Sequence, residues 1–138
     1  MPRVSFAGKR PAHLGVRNAW LKPCARWPNC VSSDATDAVH AIAPLVLRRS
    51  ATDAWEIARA IVAGRARTRV VTETPDYLHA ECESALLGFV DDIELHLRVS
   101  DGVIAVRSAS RLGCGDLGVN RRRIEELRVA LAQRGVVE

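Results

Sequence analysis

Aromatic residues are scarce in this chain, at six of 138, and lysine occurs twice against eighteen arginines. The few aromatics (Phe6, Trp20, Trp27, Trp55, Tyr77 and Phe89) all lie outside the arginine-rich C-terminal stretch. The chain therefore lacks the stacking platform that accompanies a basic groove in single-stranded nucleic-acid binders. No apolar run approaches the roughly 18–20 residues needed to cross a bilayer. The start of the chain is broken by Lys9, Arg10, Pro11, His13 and Arg17, so it holds no secretory h-region of about 7–15 apolar residues. Without an export signal the expected compartment is the cytoplasm. Phosphate loops of the GxxxxGK[ST] or GxGxxG type, the zinc motif HExxH and the GxSxG nucleophile elbow are all missing. Ser32, Ser33, Ser108 and Ser110 therefore carry no hydrolase signature, and His13, His40, His79 and His96 show no ligand spacing. The sequence implies no metal and no cofactor.

The composition that is present, 48% hydrophobic and 26% charged, suits one folded domain of the usual 100–200 or so residues. The formal charge of +4 divides unevenly. Residues 1–33 hold six basic residues and no acid, residues 51–100 hold five Arg against nine acids, and residues 101–138 hold seven Arg against five. An acid-free arm beside an acidic centre suggests that residues 1–22 form an extended basic arm. Residues 23–138 then form a single α+β domain.

Within that domain Ala43–Arg48 reads as a strand. Ala54, Ile57, Ala58, Ile61 and Val62 follow at helical spacing over Asp53–Ala63, with Asp53 and Glu56 as a capping box and Gly64 where positive φ is wanted. Thr68–Glu73, Tyr77–Ser84, Phe89–Arg98 and Val103–Ala109 follow as strands. The last three separate apolar from polar residues with a period of two. Placing Leu95 and Leu97 opposite Val106 and Ile104 requires odd register sums, and the favoured one sets Glu94 opposite Arg107. Ile124, Leu127 and Leu131 then mark a long helix, closed by Arg134 and Gly135 and capped by Asp116 or by Asn120. The order β-α-β-β-β-β-α, an antiparallel sheet packed on a long C-terminal helix, resembles the TATA-binding-protein-like, helix-grip folds.

The densest polar region runs from Arg107 to Arg123. Glycines and a helix N-terminus there favour an anion, and arginines recognise carboxylate or phosphate through paired N–H groups. Arg107, Arg111, Asn120, Arg121 and Arg123 are the candidate anion contacts. The competing role is structural: Asp91, Asp92, Glu94 and Asp116 can pair with the same arginines in a lattice that clips helix to sheet. Glu81, Glu83, Asp92 and Glu94 share the polar strand face, where His96 makes an acid/base enzyme the alternative reading. A structural or assembly subunit is a third. Cys24 and Cys30 form a candidate thiol pair: two thiols in a compact loop, a disulfide or a metal pair all fit the spacing.

Three blocks carry a resemblance. Pro28-Asn29-Cys30-Val31-Ser32-Ser33 is the first and Phe89-Val90-Asp91-Asp92-Ile93-Glu94 the second. The third runs from Arg107-Ser108-Ala109-Ser110-Arg111-Leu112-Gly113 through Asp116-Leu117-Gly118-Val119-Asn120 to Arg123-Ile124-Glu125. Together they resemble the signature blocks of the domain-of-unknown-function 1499 family of bacteria and plant plastids, from about Leu14 to Arg134. Two positions depart from it: Trp27 stands where a small polar residue is usual, and Cys114 replaces an aromatic. The resemblance implies no established activity. The combined expectation is a non-catalytic module for a small anionic or amphiphilic ligand or a partner protein, with nucleic acid disfavoured.

Overall fold

The computed structural model describes residues 6–138; residues 1–5, with Arg3 of the basic arm, lie outside the described residues. The fold is α+β, an antiparallel sheet with two helices of which the second is C-terminal. Three strands precede the first one expected. β1 (Val16–Arg17) and β2 (Trp20–Leu21) form a hairpin, and β3 (Cys30–Ser32) joins the main sheet. The hairpin turns through Asn18 and Ala19 at φ of 51° and 68°, the mirror-image turn that matches strand twist. Elements of two or three residues carry no period, which is why their composition does not announce them.

β4 (Leu45–Val46) is the paired part of the segment expected over Ala43–Arg48. α1 spans Ala51–Ala63 and is capped by Ser50, whose hydroxyl accepts from the Asp53 N–H at 3.2 Å. Asp53 is therefore a first-turn acid rather than the cap. Gly64 sits at φ −85°, and the positive φ expected of it falls on Arg67 at 51°. β5 (Thr68–Glu73), β6 (Tyr77–Glu83), β7 (Val90–Arg98) and β8 (Val103–Ser110) then build the sheet in the order β3-β8-β7-β6-β5, with β4 also pairing β8. β5 pairs β6 with a shift of register at Val71, where the strand bulges. Glu94 faces Arg107 across β7 and β8, the register the apolar pattern favours.

α2 (Val119–Gln133) crosses the sheet and packs on α1. Neither expected residue holds the cap position, which falls on Gly118 at φ 79°. Asn120 is the second residue of the helix, and Asp116 stands two residues before the cap, accepting from the Gly118 N–H at 2.9 Å and from the Asn120 N–H at 3.1 Å. At its end Gly135, at φ 70°, lets its own N–H reach Ala132 O (2.9 Å) and the Val136 N–H reach Leu131 O (3.3 Å), a Schellman closure. Val136 then joins the core with Leu131. That core, between the helices and one sheet face, holds Leu45, Ala58, Leu78, Leu95, Ile104, Val106 and Ile124, all fully buried.

Candidate functional site

The sheet face turned away from the helices carries Tyr77, His79 and Glu81 on β6, Asp92, Glu94 and His96 on β7, and Arg107 on β8. Alternation alone makes this a polar face; the structure makes it a buried one. Glu94 has no exposed surface, and Asp92, His79 and Arg107 retain 1%, 4% and 5%. The segment from Arg10 to Lys22 lies across them. Arg10 grips Glu81 at 2.7 Å, the Gly15 N–H donates to Glu94 Oε1 at 2.8 Å, and Lys22 O accepts from Arg107 Nε at 2.8 Å. Leu21 packs against Tyr77 and Ala105. Its N–H meets Asp34, which Arg98 holds with two bonds of 2.7 and 2.8 Å.

Each charge beneath the segment is matched. Glu94 accepts from the Tyr77 hydroxyl at 2.6 Å and from Arg107 at 3.4 Å. Asp92 takes two bonds of 2.8 Å from Arg111 and one of 2.7 Å from His79 Nε2. Burial opposes the charge on Asp92, but the bonds from Arg111 and His79 outweigh it and hold the carboxyl below its ordinary range. Hydrogen bonds from Arg10 and Arg111 take Glu81 down to about 2. Burial, reinforced by the Glu94 charge, pushes the Tyr77 phenol up. Burial beside Arg98 pushes His96 down. His96 pairs with Tyr77 across β6 and β7, at the end of the face opposite Glu81, roughly 13 Å along the strands at 3.3 Å per residue. It faces Arg98 and Asp76, so the structure does not bring it together with Glu81 and Asp92.

A second network occupies the helix side. Asn120, fully buried, accepts from Ser108 Oγ (2.7 Å) and Arg123 Nη1 (2.7 Å) and donates to Asn29 O (3.2 Å), Ser110 Oγ (2.9 Å) and Asp116 (2.8 Å). Arg123 continues to Asp91 at 2.8 Å. The five candidate anion contacts thus divide: Arg107 and Arg111 lie on the arm side, Asn120 and Arg123 on the helix side, and Arg121 reaches the Val39 carbonyl at 3.3 Å. Arg107, Arg111 and Arg123 are each bonded to a carboxylate, Glu94, Asp92 and Asp91 respectively.

Two hollows meet at one end of the sheet. A cleft of about 610 Å³ opens between the β6–β7 turn and the loop before α2, lined by Phe89, Val90, Leu112, Leu117 and Val119 with Asp91 and Arg123 behind them. A neighbouring hollow of about 500 Å³ is lined by Arg10, Arg67, Arg69 and Arg111 with Glu81 and Glu83. Arg67, Glu83 and Val90 border both. Arg10, Arg69 and Arg111 all bond the single Glu81 carboxylate, while Arg67 donates only to the Glu83 carbonyl and has no carboxylate partner among the described residues. Sequence reading passes over this pair of hollows because its arginines come from the arm, the α1–β5 link, β5 and the end of β8. A signal was present nonetheless in Leu86-Leu87, an apolar pair inside a hairpin turn.

Cys24 and Cys30 form a disulfide, their Cα atoms 5.7 Å apart, so the pair is neither two free thiols nor a metal pair. Closing so short a loop contributes about 2 kcal/mol in the chain-entropy view. His40 braces the loop, spanning the Asp37 carboxylate (2.6 Å) and the Trp27 carbonyl (2.9 Å). Among the described residues no group of His, Cys, Asp and Glu is arranged to hold a metal ion, and no helix is long and apolar enough to cross a membrane.

Fold and site together define an α+β domain with two buried polar networks and an amphiphilic pair of hollows at one end. Residues 20–131 match the model for the family described as "Protein of unknown function (DUF1499)", and the chain belongs to that family. No curated protein and no solved structure matches it.

Proposed function

We propose that the protein is a non-catalytic module that binds an anionic amphiphile, its apolar chain in the cleft between the β6–β7 turn and the loop before α2. Its head group sits over the border at Arg67, within reach of Arg69 and Arg10. The observation that carries this reading is the shared border: an apolar cleft of about 610 Å³ continues into a hollow where four arginines face two glutamates. The volume falls in the range of about 300–1,000 Å³ usual for small-molecule sites. Arg107, Arg111, Asn120 and Arg123 act behind the site as scaffold, each held by its own partners. The covering of His79 and Asp92 by the arm supports a role without acid/base chemistry.

Calorimetric titration with dodecyl phosphate below its micelle concentration tests the reading, with inorganic phosphate and dodecyl maltoside as comparisons. Dodecyl phosphate is expected to bind one-to-one and more tightly than either. Arg67→Gln is expected to weaken it about tenfold, the size of one charge-assisted hydrogen bond, and Val90→Trp to block it. Failure of dodecyl phosphate to bind, or equal binding by both variants, would overturn the reading.

A further inference from the structure

Seven of the twelve exposed large apolar side chains of the described residues gather around the cleft mouth. Leu86 and Leu87 form the tip of the β6–β7 turn, 88% and 49% exposed, where hairpin turns ordinarily carry polar residues. Across the cleft, Leu117 is 97% exposed and holds φ 54°, a conformation that L side chains rarely adopt. An apolar side chain set fully in water by an unfavourable backbone gains nothing within the fold. Backbone strain of this kind concentrates where it serves a contact with something else. Phe6 stacks on Phe89 with ring centroids 5.4 Å apart, and its N–H donates to Leu87 O at 3.1 Å. That contact brings the start of the acid-free arm, with Lys9 and Arg10, to the same end as Arg67 and Arg69.

We infer that this end docks on the surface of an anionic bilayer, Leu86, Leu87 and Leu117 entering the interface while the flanking arginines and Lys9 face the head groups. Apolar tips with basic residues beside them are the combination that peripheral membrane binding uses. Here Arg67, which has no carboxylate partner among the described residues, and Lys9 supply charge beyond what Glu81 and Glu83 take up. The inference deepens the proposed function by naming the source of the amphiphile, and to that extent rests on it. A bilayer lipid would present its anionic head and chain at the cleft mouth.

Co-sedimentation of the full chain with phosphatidylcholine vesicles, with and without phosphatidylglycerol, tests it. Binding is expected only with phosphatidylglycerol. Leu86→Asp with Leu87→Asp is expected to lower partitioning at least about tenfold, the worth of withdrawing a leucine from an apolar phase. Because neither residue lines the cleft, that double variant should melt as wild type and still bind dodecyl phosphate. Lys9→Gln, an exposed residue that the inference sets against the head groups, should weaken vesicle binding through charge alone. Absence of vesicle binding by wild type, equal binding to uncharged vesicles, or undiminished binding by the leucine variant would each overturn the inference. A dimer in light scattering that the leucine variant abolishes would overturn it too, assigning the patch to a second copy. Loss of dodecyl phosphate binding in every form, with vesicle binding intact, would instead fall on the cleft reading alone.

Discussion

On one side of the sheet Leu78, Ile93, Leu95, Ile104 and Val106 meet two helices; on the other His79, Asp92, Glu94 and Arg107 are nearly as deeply buried but meet a single strip of chain whose only regular part is the short β1–β2 hairpin. The same alternation built both faces. The helix side gains from area removed from water, and an apolar side chain of similar volume can serve there. The arm side gains only when every charge finds its partner, because removing one leaves its mate desolvated and unmatched. Burial on the two faces thus follows different rules of tolerance. The two faces also draw on different parts of the chain, since residues 6–19, which supply Arg10 and Gly15 to the covered face, precede the family match at Trp20.

Substitutions can break this contrast. Glu94→Ala strands Arg107 and the Tyr77 hydroxyl, with an expected loss of about 3–5 kcal/mol in urea unfolding. Leu95→Ala, its neighbour on the helix side, should lose about 2–5 kcal/mol as an ordinary cavity. The sharper distinction lies in rescue: Leu95→Met should lose less than about 1.5 kcal/mol, whereas no apolar replacement of Glu94 alone should recover stability. A loss below about 0.5 kcal/mol for Glu94→Ala would mean that the polar face behaves as a solvated surface.

Acid should act on the arm side before the core. Glu81, Asp92 and Asp34 are held below their ordinary range in the folded state, so the unfolded chain binds protons first. Their contribution is complete above about pH 5 and is lost as pH falls through the folded values, near 2 for Glu81. His96, also lowered, adds a smaller loss beginning below about pH 6.5. Thermal melts across pH 2–7, about that range being set by these groups, should show the midpoint falling in two stages, the larger below pH 5 or so.

How much of this was legible from sequence follows from what periodicity can carry. β6, β7 and β8 were readable because Leu78, Ala80, Ile93, Leu95, Ile104 and Val106 alternate without a break, and parity then placed Glu94 against Arg107. α2 was readable from Ile124, Leu127 and Leu131. β1, β2 and β3 were not, being two or three residues long. The covering of the polar face was illegible because alternation describes a solvated face and a covered one alike. Only the acid-free arm hinted at it. The candidate anion contacts were found as residues but not as a site, since neighbours in sequence from Arg107 to Arg123 point to opposite sides of the sheet.

Smaller effects are expected at the margins of the two faces. Asn120→Ala on the helix side should lose about 1–3 kcal/mol, because Asn29 O, Ser108, Arg123 and Asp116 all lose a partner at once. Arg10→Gln, at the exposed rim of the arm side, should leave the unfolding midpoint almost unmoved. It should raise the acid transition slightly, because Glu81 loses the first of the bonds that depress it.

The bulge at Val71 bears on how the molecule behaves in a crowd. β5 is an outer strand of the main sheet and presents unpaired backbone groups that a second chain could extend. The shift of register between Val70 and Thr72 bends that edge, and Arg69 and Glu73 on either side place opposite charges along it. A strand arriving from another copy meets a kinked, charged border on which a straight ladder of hydrogen bonds cannot run, so the sheet stops growing at its own last strand.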